Sequence, residues 1–294
     1  MAYVLNRFEV EREDAANDVD TLIAADKTTG NTPEKKTAGD LQAGSEKKLA
    51  TLRIAGLHGH NPLQNHLLAA LPAEDFKRLL PQLEFIGMPL GMTVCEPGCE
   101  MHHLYFLTSS IVSLLHEMKD GSSAETAVIG NEGVAGIALF MGGGKNQNRA
   151  TVKSAGYGFR LKASILTEEF NRGGALQQLL LRYTQALISQ MSQTAVCNRH
   201  HSVPQQLCRS LLLTLDRLPG NEISVTQSLI ASMLGVRRES VAEAAAKLQS
   251  DGLIQYARGH MTVLNRCGLE ARACECYSGL KQDYEHLRSP IHAS

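Results

Sequence analysis

The residues best suited to a chemical task stand in one run, Arg237-Arg238-Glu239-Ser240. An arginine can form two hydrogen bonds with O6 and N7 of guanine, a glutamate can accept one from N4 of cytosine, and a serine can bond a base or a phosphate. Two further side chains, Arg258 and His260, are suited to contacts with a neighbouring phosphate. These residue types together predict recognition of double-stranded DNA.

The elements that position this run extend from Thr226 to Leu264. Apolar residues recur at helical spacing before and after Gly235, which predicts two helices joined by a tight turn with the glycine in a left-handed conformation. Asp251-Gly252 ends the second helix, and the short apolar runs that follow predict a β-hairpin. This order is that of a winged helix-turn-helix, whose second helix enters a major groove. The alternative is a plain helical hairpin whose arginines are only solvated.

The start of the first helix adds two candidates. Thr226 stands at the N-cap position, where its hydroxyl can also meet a phosphate, and Gln227 follows it. The predicted DNA-binding residues are Thr226, Gln227, Arg237, Arg238, Glu239, Ser240, Glu243, Arg258 and His260.

Composition restricts how such an interface can attract DNA. The chain has 294 residues and a formal net charge of −1, so attraction has to come from a local patch. The N-terminal residues lack the continuous apolar core of a signal peptide, and no run reaches the roughly 18 apolar residues of a membrane span. We therefore expect a cytoplasmic protein without a membrane partner, whose seven cysteines are thiols.

The chain divides into five segments. Residues 1–60 are polar and charged and predict a flexible or disordered extension. Residues 61–172 contain many short apolar runs separated by turn residues, which predicts a β-roll, and Asp120-Gly121 is its clearest hairpin signal. Residues 173–201 predict a long helix, residues 202–266 form the winged domain, and residues 267–294 form a C-terminal helical tail.

The long helix carries apolar residues on more than one side. Such a helix needs both its own domain and a second surface, and a parallel pair of helices in a homodimer provides one. Burial within one monomer is the alternative. The predicted dimerisation residues step by three or four: Leu176, Leu180, Tyr183, Leu187, Met191 and Thr194.

Taken together, a β-roll, a long helix and a winged helix-turn-helix resemble the Crp/Fnr family of bacterial transcription regulators. The resemblance is strongest over Leu234-Gly235-Val236-Arg237-Arg238-Glu239-Ser240-Val241. It also extends to Gly130-Asn131-Glu132-Gly133 in the roll. The resemblance implies an α+β fold with a jelly-roll-like sensor, a homodimer on a palindromic site, base reading by Arg238-Glu239 and RNA polymerase as a partner. Glu243 replaces a basic residue common in the family, which predicts a different half-site.

The sensor departs from the nucleotide-binding members. They use Gly-Glu for the ribose and Arg-Ser for the cyclic phosphate, whereas here Ile137 follows Gly136 and Ala150 follows Arg149. We therefore do not expect ordinary cyclic AMP as the effector. Two alternatives remain open. The same pocket binds a different small molecule, or the roll is degenerate, binds no ligand and uses Arg149 only structurally. The candidate effector pocket comprises Gly136, Ile137, Arg149, Ala150, Met191 and Ser192.

Metal and enzyme chemistry fit the sequence less well. The pair Cys95 and Cys99 is short of the four thiolates of an iron–sulfur cluster, and Cys99, His102 and His103 are too few and too loosely arranged for haem or metal. We expect no metal site and no cofactor beyond a small-molecule effector. Thiol sensing by Cys267, Cys274 and Cys276 is an alternative that no sequence feature supports. No catalytic motif indicates an enzyme. The rival is a small-molecule- or thiol-sensing protein whose winged domain binds protein.

Overall fold

The computed structural model of the chain describes residues 60–142 and 145–287. The predicted extension over residues 1–60 therefore lies outside the described residues, apart from His60. Mixed helices and antiparallel sheets confirm the predicted α+β class. No helix in residues 60–142 and 145–287 is long and apolar enough to cross a membrane.

The first half of the described chain is a β-roll. A 3-10 turn at Pro62–Gln64 and helices α1 (His66–Ala69) and α2 (Ala73–Leu79) lead into eight strands. Their bounds are β1 Glu84–Met88, β2 Thr93–Cys95, β3 His103–Leu107, β4 Ile111–Glu117, β5 Ser123–Ile129, β6 Val134–Ala135, β7 Arg149–Ser154 and β8 Gly156–Lys162. One sheet has the order β1-β8-β3-β6 and the other β2-β7-β4-β5, and all the pairings are antiparallel.

The hairpin predicted at Asp120-Gly121 is present. Strands β4 and β5 pair from Val112 opposite Ile129 to Glu117 opposite Ser123. Gly121 has φ +83°, a conformation that glycine adopts without strain, and Asp120 accepts a hydrogen bond from the Ser122 amide at 2.9 Å.

Helix α3 (Ala163–Asn171) follows the roll, and helix α4 (Ala175–His200) is the predicted long helix. The assignment of its dimerisation face is wrong. Five of the six predicted residues are buried within the chain and Met191 is half-buried against the roll, so none of the five can meet a partner. The five are Leu176, Leu180, Tyr183, Leu187 and Thr194. Tyr183 even donates a hydrogen bond to the Val134 carbonyl oxygen at 3.1 Å.

A different face of α4 carries exposed apolar side chains. Leu181 and Ile188 are each 47% exposed and Val196 is 50% exposed. Leu181 and Ile188 are one heptad apart, which is the spacing of a coiled-coil seam. Periodicity showed correctly that α4 is apolar on two sides, but the roll covers the side that the sequence assigned to the partner.

The second half is the winged domain and the tail. It contains α5 (Val203–Leu215), β9 (Glu222–Ser224), α6 (Gln227–Leu234), α7 (Arg238–Ser250), β10 (Ile254–Ala257), β11 (His260–Val263), α8 (Arg266–Arg272) and α9 (Cys276–Leu287). The three strands form one antiparallel sheet in the order β10-β11-β9. The tail is two helices rather than one, because Ala273 is extended (φ −67°, ψ 153°) and breaks the helix before Cys274.

The two halves meet through buried polar groups. Glu132, in the turn before β6, accepts hydrogen bonds from Arg217 just after α5, with Nη2 at 2.6 Å and Nε at 2.8 Å. Arg217 also donates to the Leu213 carbonyl at 2.6 Å and lies 5.5 Å from the ring centroid of Tyr284 in α9. This single guanidinium therefore joins the roll, the winged domain and the tail.

Candidate nucleic-acid interface

Helix α6 and its turn have the local geometry that the sequence predicted. The Thr226 hydroxyl accepts a hydrogen bond from the Leu229 amide at 3.1 Å and so caps the helix. Gly235 has φ +65° and ψ 34°, and the Val236 amide reaches back to the Ala231 carbonyl at 3.0 Å. This is a glycine C-cap of the Schellman type, and it sets the direction in which α7 leaves the turn.

The N-terminal turn of α7 presents the predicted base-reading residues to solvent. Arg237 is the N-cap residue, Arg238 and Glu239 open the helix, and all three are exposed. In the part of the chain that the structure describes, none of the three side chains forms a hydrogen bond or an ion pair. Their donors and acceptors are therefore free for a ligand.

The opposite face of α7 fixes the helix against its domain. Its inward residues are fully or nearly fully buried, and they pack on α5, α6 and the strands. They are Val241, Ala244, Ala245 and Leu248. Ser240 is half-buried and Glu243 is exposed one turn further along. The core thus holds α7 so that its first turn protrudes.

The wing is a tight two-residue hairpin. Arg258 has φ +51° and Gly259 has φ +81°, which are the positive values of a type I′ turn. The Gly259 carbonyl accepts a hydrogen bond from the Val225 amide at 2.8 Å, so the wing tip lies next to the N-terminus of α6. A Cβ at Gly259 would lie 3.9 Å from Cγ2 of Thr226, so the wing turn approaches the helix cap; Arg258 and His260 are exposed and Gln227 is half-buried.

The winged domain also contacts the roll through its helix-turn-helix. The Ser232 hydroxyl of α6 is 2.7 Å from the Ser123 hydroxyl at the start of β5. A Cβ at Gly235 would lie 3.4 Å from Cβ of Ala124. Sequence reasoning missed this contact and the Glu132–Arg217 pair, because nothing local marks residues that are far apart in the chain as neighbours.

The predicted effector-pocket residues have different environments. Arg149 pairs with Glu96 at 2.9 Å and with Glu117 at 2.7 Å, and the hydrogen bond that Arg149 donates to Glu96 is the main cause that raises the pKa of Arg149. Ala150 is buried in β7. Because two carboxylates already satisfy this guanidinium, an anionic ligand would have to displace them.

The remaining pocket residues do not add an obvious ligand group. Gly136 has φ +120°, and Ile137 lies in the short 3-10 turn Ile137–Leu139 that packs against the roll core. On α4, Met191 is half-buried against the roll and Ser192 is exposed.

A cleft of about 320 Å³ lies beside β2 and β3 and is lined by residues that include Cys95, Cys99, His102 and His103. Cys99 and His102 are exposed, and burial lowers the pKa of His103. Within residues 60–142 and 145–287, the ligand atoms of these residues do not converge into a group of three or more.

Comparison with known proteins agrees with this geometry. Residues 205–272 match the sequence model of the Crp-like helix-turn-helix domain. The match includes α6, α7, the wing and also α8. No curated protein matches the chain in a sequence comparison.

Solved structures share the fold of the described chain. FixK2 from Bradyrhizobium japonicum has a TM-score of 0.56 at 15% identity, with 65% of this chain and 98% of that chain covered. A Crp/Fnr-family transcriptional regulator from Eubacterium rectale has 0.57 at 16% identity, covering 72% and 97%. The c-di-GMP-responsive global regulator CLP of Xanthomonas campestris has 0.52 at 19% identity, covering 65% and 99%.

The fold and the site thus define a protein with a β-roll, a long helix and a winged helix-turn-helix domain. Residues 205–272 form a Crp-like helix-turn-helix domain, and the described chain has the fold of Crp/Fnr-family transcription regulators. The resemblance inferred from the sequence is therefore confirmed, both for the helix-turn-helix domain and for the fold of the described chain.

Proposed function

We propose that the protein is a homodimeric, sequence-specific DNA-binding transcription regulator of the Crp/Fnr type that recognises a palindromic site. The observation that carries this proposal is the exposed and unpaired Arg237-Arg238-Glu239 turn at the start of α7, held after a left-handed Gly235. Arg238 and Glu239 are suited to base edges, while Thr226, Arg258 and His260 are suited to phosphates. Because its partner is DNA, the protein acts in the cytoplasm.

The dimer would form through the exposed face of α4. Leu181, Ile188 and Val196 remain half-exposed after the roll has covered the other apolar face. A second copy of the same helix can bury them in a parallel pair, and this pairing brings two winged domains to two half-sites of the DNA. A face of this kind on one long helix favours a homodimer over a monomeric regulator.

The roll would sense an effector and change the population of two orientations of the winged domains. Arg149 is satisfied by Glu96 and Glu117, and the ribose carboxylate of the nucleotide-binding members is replaced by Ile137. These residues support an effector other than ordinary cyclic AMP. By the resemblance, RNA polymerase is the protein partner of the DNA-bound form.

Selection of binding sites from random duplex DNA tests the proposal. We expect a palindromic motif with half-sites about one helical turn apart. Arg238→Ala should weaken binding to the selected site by about 5- to 150-fold, corresponding to about 1–3 kcal/mol for a bidentate base contact. Arg172→Ala is the matched control, because Arg172 is an exposed arginine directly after α3, outside the winged domain, and its loss should leave affinity unchanged.

A salt titration separates this function from the rival in which the winged domain binds protein. Phosphate contacts release counterions, so log affinity for DNA should fall steeply and linearly with log salt concentration. Loss of selection together with a flat salt dependence would refute DNA binding. Unchanged specific binding by Arg238→Ala would refute only the assignment of the recognition helix.

A further inference from the structure

Four metal-binding side chains converge where the long helix α4 ends and the C-terminal helix α9 begins. Cys197 is in the last turn of α4 and His201 directly follows it, with the His201 amide bonded to the Cys197 carbonyl at 3.0 Å. Cys274 precedes α9 and Cys276 is its first residue. One ligand atom from each of the four residues lies within 4.8 Å of all the others.

The spacing of these atoms is that of a tetrahedral zinc site. The Sγ atoms of Cys197 and Cys274 are 3.6 Å apart, and Sγ of Cys276 is 3.6 Å from Nδ1 of His201. With bonds of about 2.3 Å to sulfur and 2.0–2.1 Å to nitrogen, a tetrahedral Zn²⁺ holds two sulfurs roughly 3.8 Å apart and a sulfur and a nitrogen roughly 3.6 Å apart. The side chains therefore need little movement to coordinate the ion.

The surroundings of the four residues also suit a resident ion. The three cysteines are buried and form a cluster separate from the two large apolar cores, while the His201 side chain is 14% exposed. Glu275, between the two cysteines, places Oε1 at 3.3 Å from Nε2 of His201. A carboxylate on Nε2 fixes the tautomer in which Nδ1 faces the metal, as is usual for metal-bound histidines.

We propose that Cys197, His201, Cys274 and Cys276 form a structural Zn²⁺ site. Three thiolates and one imidazole fill all four positions of a tetrahedral ion, so no position is left for water or substrate, as expected for a structural and not a catalytic site. The sequence predicted no metal site, and these four residues were not among its candidate metal ligands. No local motif joins them, since Cys197 and His201 are separated from Cys274 and Cys276 by more than seventy residues.

The position of the site gives it a mechanical role. His201 is the last residue before Ser202 caps α5, so the ion would sit at the junction between the long helix and the winged domain. At the other end of α9, the Tyr284 hydroxyl donates to Oε1 of Gln190 at 3.1 Å. Zinc would thus fasten the start of α9 to the end of α4, where the orientation of the winged domain is set.

Metal content of the purified full-length chain, kept reduced, tests the proposal. We expect about one Zn²⁺ per chain, and after exchange to Co²⁺ we expect the ligand-field bands of a tetrahedral site together with a thiolate charge-transfer band. Cys197→Ser and Cys276→Ser should lose both the metal and the bands. Cys208→Ser and Cys267→Ser are matched controls, one buried and one exposed, and should keep them.

Two further variants keep the test decisive if a ligand variant fails to fold. His201→Cys should retain Co²⁺ binding with a stronger charge-transfer band, because it supplies a fourth thiolate. Glu275→Gln should weaken Zn²⁺ binding in a chelator competition by about tenfold, at the lower end of such effects because Glu275 is exposed. A folded, reduced chain without Zn²⁺ and without the Co²⁺ bands would overturn the proposal, as would a Cys197–Cys274 disulfide in the chain as isolated from cells.

Discussion

The Glu132–Arg217 ion pair gives the sharpest stability prediction, because it is buried and joins the roll to the winged domain. The two side chains are only 10% and 5% exposed, and they meet at 2.6 Å. Arg217→Met removes the guanidinium but keeps an unbranched apolar side chain that reaches about as far as Nε of the arginine. The Glu132 carboxylate then stays buried and keeps the hydrogen bond that it accepts from the Gly130 amide at 3.2 Å, but it has lost its counter-charge.

The expected cost follows from that uncompensated charge. Removing one partner of a buried ion pair destabilises a protein by about 3–5 kcal/mol. For a chain of this size, each kcal/mol lowers Tm by about 2–4 °C, so Arg217→Met should lower Tm by roughly 6–20 °C. Removing both charges in Glu132→Met/Arg217→Met should recover about 2 kcal/mol or more of the loss, because no buried charge is then left unpaired.

Thermal unfolding of the wild type, Glu132→Met, Arg217→Met and the double variant forms a double-mutant cycle. Arg172→Met is the matched control, because Arg172 pairs with Glu169 at 3.2 Å but is 57% exposed, and exposed pairs contribute about 0–1 kcal/mol. If Arg217→Met lowered Tm no more than Arg172→Met, or if the double variant were as unstable as the sum of the single ones, the reasoning about the buried pair would be refuted.

Three further predictions concern the roll, the dimer and the helix-turn-helix. Gly133→Ala should destabilise the fold by several kcal/mol, since its Cβ would lie 2.2 Å from the Tyr183 ring, whereas Gly87→Ala, with open space, should not; denaturant unfolding measures both. Ile188→Asp should shift the protein from dimer to monomer in light scattering, whereas Leu90→Asp should not, because Leu90 is also exposed (57%, against 47% for Ile188) but lies in the roll; a dimer in both variants would refute the α4 seam. Gly235→Ala and Gly252→Ala should each cost roughly 1–2 kcal/mol because both positions have positive φ, but only Gly235→Ala should also reduce DNA affinity in a binding titration.

The sequence determined the winged helix-turn-helix almost completely. Helical spacing on both sides of Gly235, the Thr226 cap and the turn at Asp251-Gly252 are local signals, and each of them is present in the structure. The hairpin at Asp120-Gly121 and the long helix were predictable for the same reason. In each case a few neighbouring residues set the backbone conformation.

Tertiary structure alone decided what covers each face and which distant side chains meet. Periodicity showed that α4 is apolar on two sides, but only the packing of the roll on Leu180, Tyr183 and Leu187 decided which side is left for a partner. Arg149 meets Glu96 and Glu117, and Arg217 meets Glu132, through contacts that span many residues.

The cysteine cluster is the clearest case of side chains that meet in the structure although the sequence does not reveal it. Cys197 and Cys274 are separated by 77 positions in the chain and by 3.6 Å in the structure. A sequence pattern describes residues that are close along the chain, whereas coordination and ion pairing depend on distance in space. The docking of α9 on α4 sets that distance, and so it decides whether these thiols are isolated side chains or a binding site.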